Sequence, residues 1–191
     1  MTKSVEIRCL RNPTPREIEQ LGDVLIDCVE GGASVSFMWP MTREKADRFW
    51  QSSARSAARG ERLMIVAEDH DGAIVGTVTV LLNQPENQPH RADVAKMLVH
   101  RCARRLGVGA ALLSAAEDEA LRLGKTLLVL DTVTGGDAER LYVRQGWQRC
   151  GEIPLYALWP DGRPCPTTVY YKILGAIGAS DRPVCNASAS G

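Results

Sequence analysis

Apolar positions along the chain change their spacing several times, and each change marks a boundary. Val5 to Leu10 alternates imperfectly and predicts a first strand. From Thr14 to Val29 the spacing turns helical, with Ile18, Leu21, Val24, Leu25 and Cys28 on one face. Thr14 can cap that helix, with Glu17 three residues on, and Gly31 with Gly32 stops it. A second helix is predicted from near Thr42, through Phe49 and Trp50, to about Ala58. Two strands follow, Leu63 to Glu68 and Ala73 to Leu82, joined by Asp69-His70-Asp71-Gly72, whose Asp-Gly pair favours a hairpin. Beyond a polar loop at 83–89 come a strand at 91–99 and a helix from about Gly107 to Leu123, ended by Gly124. The run 126–133 is continuously apolar, as in a strand covered on both faces. A helix from Asp137 to Arg144, halted by Gly146, precedes strands Trp147 to Ile153 and Thr167 to Leu174, which flank the turn-rich stretch from Trp159 to Pro166.

The resulting order is β-α-α-β-β-β-α-β-α-β-β. It predicts an α/β fold with a mixed seven-stranded sheet flanked by four helices. Strand, helix and strand across 91–133 imply a right-handed parallel crossover. No repeat and no linker divides the chain, so residues 1–175 read as one domain. The small, polar stretch 176–191 is expected to be a disordered tail.

Composition narrows the function classes. The 191 residues carry 23 basic and 23 acidic side chains, which leaves no electrostatic footprint for nucleic acid or an acidic membrane. No apolar run approaches the roughly 20 residues of a membrane span, and the first ten residues lack the apolar core of a signal peptide, so a cytoplasmic protein is expected. Cys9, Cys28, Cys102, Cys150, Cys165 and Cys185 are scattered without a CxxC pair, which suits reduced thiols and no metal site. His70, His90 and His100 show no ligand or triad spacing and read as surface positions.

One stretch carries chemistry more directly. "ARRLGVGAALL" (103–113) lies between a predicted strand and a predicted helix. Gly107 and Gly109 remove side chains where backbone must approach a ligand, and unpaired amides at a helix start attract anions. Arg104 and Arg105 add positive charge beside them. A pyrophosphate is the natural occupant. The stretch is not a Walker loop, because no Gly-Lys-Ser/Thr follows, and Leu112 stands where a dinucleotide fingerprint needs its third glycine.

Arg104 to Gly109 resembles the Arg/Gln-x-x-Gly-x-Gly/Ala signature of the GNAT superfamily of N-acetyltransferases. Ala138 to Trp147, "AERLYVRQGW", resembles that family's second signature. The element order from residue 4 to 174 agrees with the family fold. More narrowly, "GGASVSFM", "HRADVAKMLV", "LDT" and "PDGRPCPTTVYYK" are similar to the tabtoxin-resistance acetyltransferases. The resemblance implies acetyl-CoA as donor. It puts Met97, Leu98 and Val99 on the strand edge that pairs with the pantetheine arm, and Arg104, Arg105, Leu106, Gly107, Val108 and Gly109 in the pyrophosphate loop. Tyr142 falls at the general-acid position, and Asp131 is its partner. Two departures stand out: Arg101 replaces the usual proline and should loosen that turn, and Gly135 replaces an asparagine that contacts pantetheine.

Acetyl transfer to an amine needs a positioned thioester, a free amine, a donor for the oxyanion and a proton for the thiolate. Met97 is the candidate oxyanion donor and Tyr142 the candidate acid. Asp131, at the carboxyl end of a buried strand, is either the base or a holder of the acceptor's ammonium; Asp93 and Glu139 are reserves. The expected activity is acetylation of an amine, or a hydroxyl, on a small molecule such as an amino-acid-like toxin or antibiotic of the tabtoxin type. Protein or polyamine acetylation, or acyl-CoA sensing without turnover, are the alternatives. The protein is expected to be a monomer or homodimer. Phe37, Met38 and Trp39, in the Gly- and Ser-rich loop 31–40, are expected either to wall the acceptor pocket or to tuck under the first two helices as core.

Overall fold

The computed structural model describes residues 5–175; the tail expected at 176–191 lies outside them. Its elements run β1 (Glu6–Cys9), α1 (Pro15–Glu30), α2 (Arg43–Ala58), β2 (Arg62–Glu68), β3 (Ile74–Leu81), β4 (Arg91–Val99), α3 (Val108–Arg122), β5 (Leu127–Val133), α4 (Asp137–Arg144), β6 (Gln148–Leu158) and β7 (Pro164–Ile173), with one 3-10 turn at Arg101–Ala103. The predicted order and mixed sheet are both present. The seven strands are arranged β1-β2-β3-β4-β5-β7-β6. All neighbours are antiparallel except β4 and β5, the pair joined through α3.

Local chemistry explains the boundaries. Thr14 and Glu17 form a reciprocal capping box on α1, with Pro15 in the first turn. Asp69 Oδ1 accepts from the amides of Asp71 and Ala73, both at 3.0 Å, and Gly72 takes the left-handed conformation that closes the β2–β3 hairpin. Side chains of β2 alternate between two cores. Met64 and Val66 face α1 and α2, whose Leu21, Val24, Leu25 and Trp50 are fully buried. Ile65 and Ala67 face the other layer, where Leu112, Leu113, Ala116 and Ala120 of α3 pack with Tyr142 and Trp147. No helix among the described residues is long and apolar enough to cross a membrane.

One expectation needs correction. The last two strands do not stop at Ile153 and start at Thr167; they run on to Leu158 and from Pro164, turning over Trp159–Arg163. Pro154 lies within β6, which tolerates it because β6 is a sheet edge, where a missing N–H costs no ladder bond. A register shift between Ile153 and Ala157, with Leu155 at positive φ, absorbs the irregularity.

Candidate active site

β4 begins with partners on both edges and ends with one. Arg91, Ala92 and Asp93 pair with Leu127, Leu128 and Val129 of β5, and the parallel ladder stops there. Both strands continue, β4 against β3 and β5 against β7. Between them opens a cleft of about 700 Å³, walled by Val94 to Met97 on one side and Asp131 to Val133 on the other. The backbone of β4 beyond Asp93 therefore has no strand partner on its β5 edge.

A bulge shapes that wall. Thr77 stands opposite Leu98 and Thr79 opposite Ala95, so Lys96 and Met97 together face Val78. Lys96 has φ 50°, rare for a residue with a side chain. The extra residue exchanges the two faces of the strand. Before it, Ala92 and Val94 pack in the α3 core; after it, Leu98 packs with α1 and α2 while Met97 and Val99 turn to the α3 side.

The turn after β4 is not loosened by Arg101. Asp27 of α1, only 8% exposed, accepts from the Arg101 backbone amide at 2.8 Å and from its Nε at 2.7 Å. His100 Nε2 lies 3.4 Å from the same carboxylate. Burial alone would raise the Asp27 pKa, but the Arg101 bonds and the neighbouring charges outweigh it and hold the group below its ordinary value. An ion-paired strut thus does the work of the missing proline. Beyond it, Arg105 and Gly107 both take positive φ, and Gly107 caps α3 without any side-chain bond. Ala111 N–H reaches Gly107 C=O at 3.1 Å as the first bond from the loop, leaving the earlier helix amides free of backbone acceptors. Arg104 donates Nε to Val99 C=O at 3.1 Å and lines the cleft.

The two glycines of the loop differ in purpose. A Cβ on Gly107 would meet nothing within 4 Å, so this position needs glycine for its φ of 82° and leaves space for a ligand. A Cβ on Gly109 would stand 3.0 Å from Leu141 Cδ2. Gly109 thus also serves the packing of α3 against α4.

Tyr142 comes from α4, which Gly136 starts and Gln145 ends. The ring is 4% exposed, with the rings of Trp147 and Tyr170 centred 5.9 and 6.0 Å away. Its hydroxyl has no hydrogen-bond partner among the described residues, and the side chain contributes to the cleft lining. Burial, reinforced by the negative charge of Asp131, pushes the phenol far above the ordinary tyrosine range. A group so held stays protonated and can donate. Asp131 lies on β5 opposite Val169 and lines the cleft as an exposed carboxylate. The reserves are engaged elsewhere. Asp93 pairs with Arg91 and accepts from Gln84 at 3.1 Å. Glu139 accepts from the Gly135 amide at 2.6 Å and from the Tyr170 hydroxyl at 3.0 Å.

Residues 31–38 line the cleft, and the 31–40 loop is stitched to the β6–β7 turn. Ser34 Oγ donates to Leu158 C=O at 2.7 Å, and Trp39 N–H to Pro160 C=O at 3.0 Å. Phe37 both lines the cleft and packs edge-on to Phe49 at 5.2 Å, so wall and core are one residue. Met38, 40% exposed, lines the cleft too. Trp39 does not belong with them. Its indole Nε1 donates to Val29 C=O at 3.0 Å, joining the Gly32 amide on a carbonyl at the end of α1. Residues that the sequence reading passed over complete the lining: Ser36, Lys96, Tyr156 and Trp159. Only the bulge places Lys96 there, and no local signal marks a bulge in "DVAKMLV".

With this geometry in hand, comparison with known proteins gives a consistent answer. The model of the acetyltransferase (GNAT) family matches residues 24–147, well over half of the chain. The chain belongs to that family of acetyltransferases. Among solved structures, a GNAT superfamily phosphinothricin acetyltransferase from Sinorhizobium meliloti, in complex with acetyl-CoA, is similar at TM-score 0.75 and 18% identity, over 97% of this chain and 95% of that one. A putative acetyltransferase, yncA, from Salmonella typhimurium, with its cofactor acetyl-CoA, is similar at TM-score 0.74 and 20% identity, over 93% and 98%. A ribosomal-protein-alanine N-acetyltransferase from Brucella melitensis is similar at TM-score 0.73 and 24% identity, over 88% and 99%.

Proposed function

We propose that the protein transfers acetyl from acetyl-CoA to the amine of a small, amino-acid-like acceptor, with a toxin or antibiotic of the tabtoxin type as the favoured class. One observation carries the reading: Tyr142, buried with its hydroxyl unpartnered, and the Asp131 carboxylate share the gap where β4 and β5 diverge. The resemblance to tabtoxin-resistance acetyltransferases supports the acceptor class, as does the likeness to phosphinothricin acetyltransferases.

The cleft suits the donor in chemistry. Free amides at the start of α3, with Arg104 and Arg105 beside them, fit a pyrophosphate, and the open edge of β4 from Met97 to Val99 fits an amide-bearing arm. Acetyl-CoA supplies an activated thioester when bound. Met97, inside the bulge and outside the β3 register, is the residue whose amide donates to the carbonyl oxygen as charge develops there. Tyr142 gives its proton to the departing sulfur, and its raised pKa keeps that proton in place beforehand. Asp131 holds the acceptor's nitrogen and takes up its proton, directly or through water. Phe37 and Met38 wall the acceptor side.

The test is thiol release from acetyl-CoA with a panel of amino acids, amines, polyamines, peptides and a tabtoxin-type β-lactam, with products identified by mass spectrometry. Acetylation of small amino-acid-like members supports the reading. Turnover confined to polyamines or peptide N-termini would replace it, and acetyl-CoA binding without any turnover would favour a sensor.

A further inference from the structure

Lys96 occupies an odd place for a lysine. It sits in the bulge of a central strand and sends its amine into the cleft beneath the 31–40 loop. Nζ donates to Ser36 Oγ at 3.0 Å and lies 5.7 and 6.0 Å from the ring centroids of Phe49 and Phe37. Each of these contacts favours the ammonium form over the free amine. The burial that accompanies them works the other way and lowers the Lys96 pKa, with Asp131 opposing that effect and Arg62 adding to it.

The natural counter-ion is Asp131, and it is not in contact. The two charges line the same cleft, close enough for Asp131 to stabilise the ammonium, yet neither Lys96 nor Asp131 forms an ion pair among the described residues. A charge drawn out of water, as the Lys96 ammonium is, is costly unless something completes it. The space between them belongs to the acceptor half of the cleft, beside Tyr142. A ligand bearing one charge of each sign satisfies both groups at once.

We propose that Lys96, with Ser36, is the specificity residue that binds an anionic oxygen group of the acceptor, such as a carboxylate, while Asp131 faces its amine. The preferred acceptor is then a zwitterion of amino-acid type. A polyamine would set one of its ammonium groups against Lys96. This assignment rests on the acetyl-transfer reading of the same cleft. It adds a residue and a chemical group that this reading does not supply.

The experiment compares wild type, Lys96→Met, Lys96→Gln and Lys96→Arg against matched acceptors: a panel of L-amino acids and their α-carboxamides, with acetyl-CoA as donor. For the acid acceptor, Lys96→Met and Lys96→Gln should lose about 10- to 100-fold in kcat/KM, the worth of a charge-assisted bond, mainly through KM. The matching carboxamide should change by less than about 3-fold, because it never used the charge. Lys96→Arg should recover part of the loss, and the KM for acetyl-CoA should stay put in all variants. Two isosteric replacements, with melting curves for each, separate lost recognition from lost folding. Equal loss on acid and amide, falling on kcat, would overturn the anion-binding role and leave acetyl transfer intact. Wild type that treats acid and amide alike would do the same. Wild type that acetylates no member of the panel would overturn both this assignment and the acceptor class beneath it.

Discussion

Replacing Gly107 by valine isolates the part that backbone conformation plays in the turn proposed to hold the pyrophosphate. The residue holds φ at 82°, and a Cβ there would touch nothing within 4 Å, so the penalty is conformational and not steric. A left-handed conformation costs an L-residue about 1–2 kcal/mol, with a β-branched side chain at the upper end. Reduced freedom in the unfolded chain returns roughly 0.4–1 kcal/mol. The net destabilisation is about 1 kcal/mol, or about 2–4 °C in Tm for a chain of this length. The larger consequence lies in binding. Relief of the strain swings Gly107 toward negative φ and turns the amides that open α3 away from their common focus, so the Kd for acetyl-CoA should rise at least about tenfold, as expected for loss of one charge-assisted contact. Gly107→Asn should keep most of both properties, because asparagine tolerates the left-handed region. Thermal melts and titration calorimetry with acetyl-CoA give the two readouts. If valine and asparagine weaken binding equally while both melt like wild type, side-chain bulk and not φ controls the turn, and the argument fails.

Tyr142→Phe should lower kcat by about 10²–10³-fold with acetyl-CoA affinity nearly unchanged, since only the proton is removed. A kcat within about twofold of wild type, where chemistry limits the rate, would remove Tyr142 from the acid role. Asp27→Asn replaces a charge-assisted bond to the Arg101 amide with a neutral one, a loss of about 1 kcal/mol at neutral pH. The folded-state pKa of Asp27 is depressed, so its contribution is complete above the unfolded value of about 4 and vanishes as pH falls through the lower, folded value. Melting curves of wild type and variant should therefore converge only in acid; a constant gap down to the lowest pH would show that the charge is irrelevant. Gly109→Ala should keep acetyl-CoA affinity and register instead as altered stability, relieved by trimming Leu141 to valine.

The element order was legible because period and punctuation agree in most segments: the capping box at Thr14, the hairpin turn at Gly72 and the apolar run of β5 are all local features. The glycine turn that opens α3 was legible for the same reason. What escaped depends on neighbours. The packing role of Gly109 escaped because nothing local reveals that Leu141 crosses over it. Arg101 read as a weakness because its partner, Asp27, is 74 residues away. Trp39 read as either pocket wall or core because its indole bond to Val29 follows from how the loop folds back, which the sequence does not encode locally. Lys96 escaped most completely, since strict alternation along β4 assigns it a face that the bulge then changes.

That single extra residue in β4 separates two things that usually change together. Deleting Lys96 would restore a regular ladder with Val78 opposite Met97, and would leave Leu98 on the α1 and α2 layer and Met97 and Val99 on the other. The interior of the molecule would stand while the irregular edge, and the amine it carries into the cleft, were lost together. The shape of the cleft wall can therefore change by one residue at little cost to the packing on either side of the sheet.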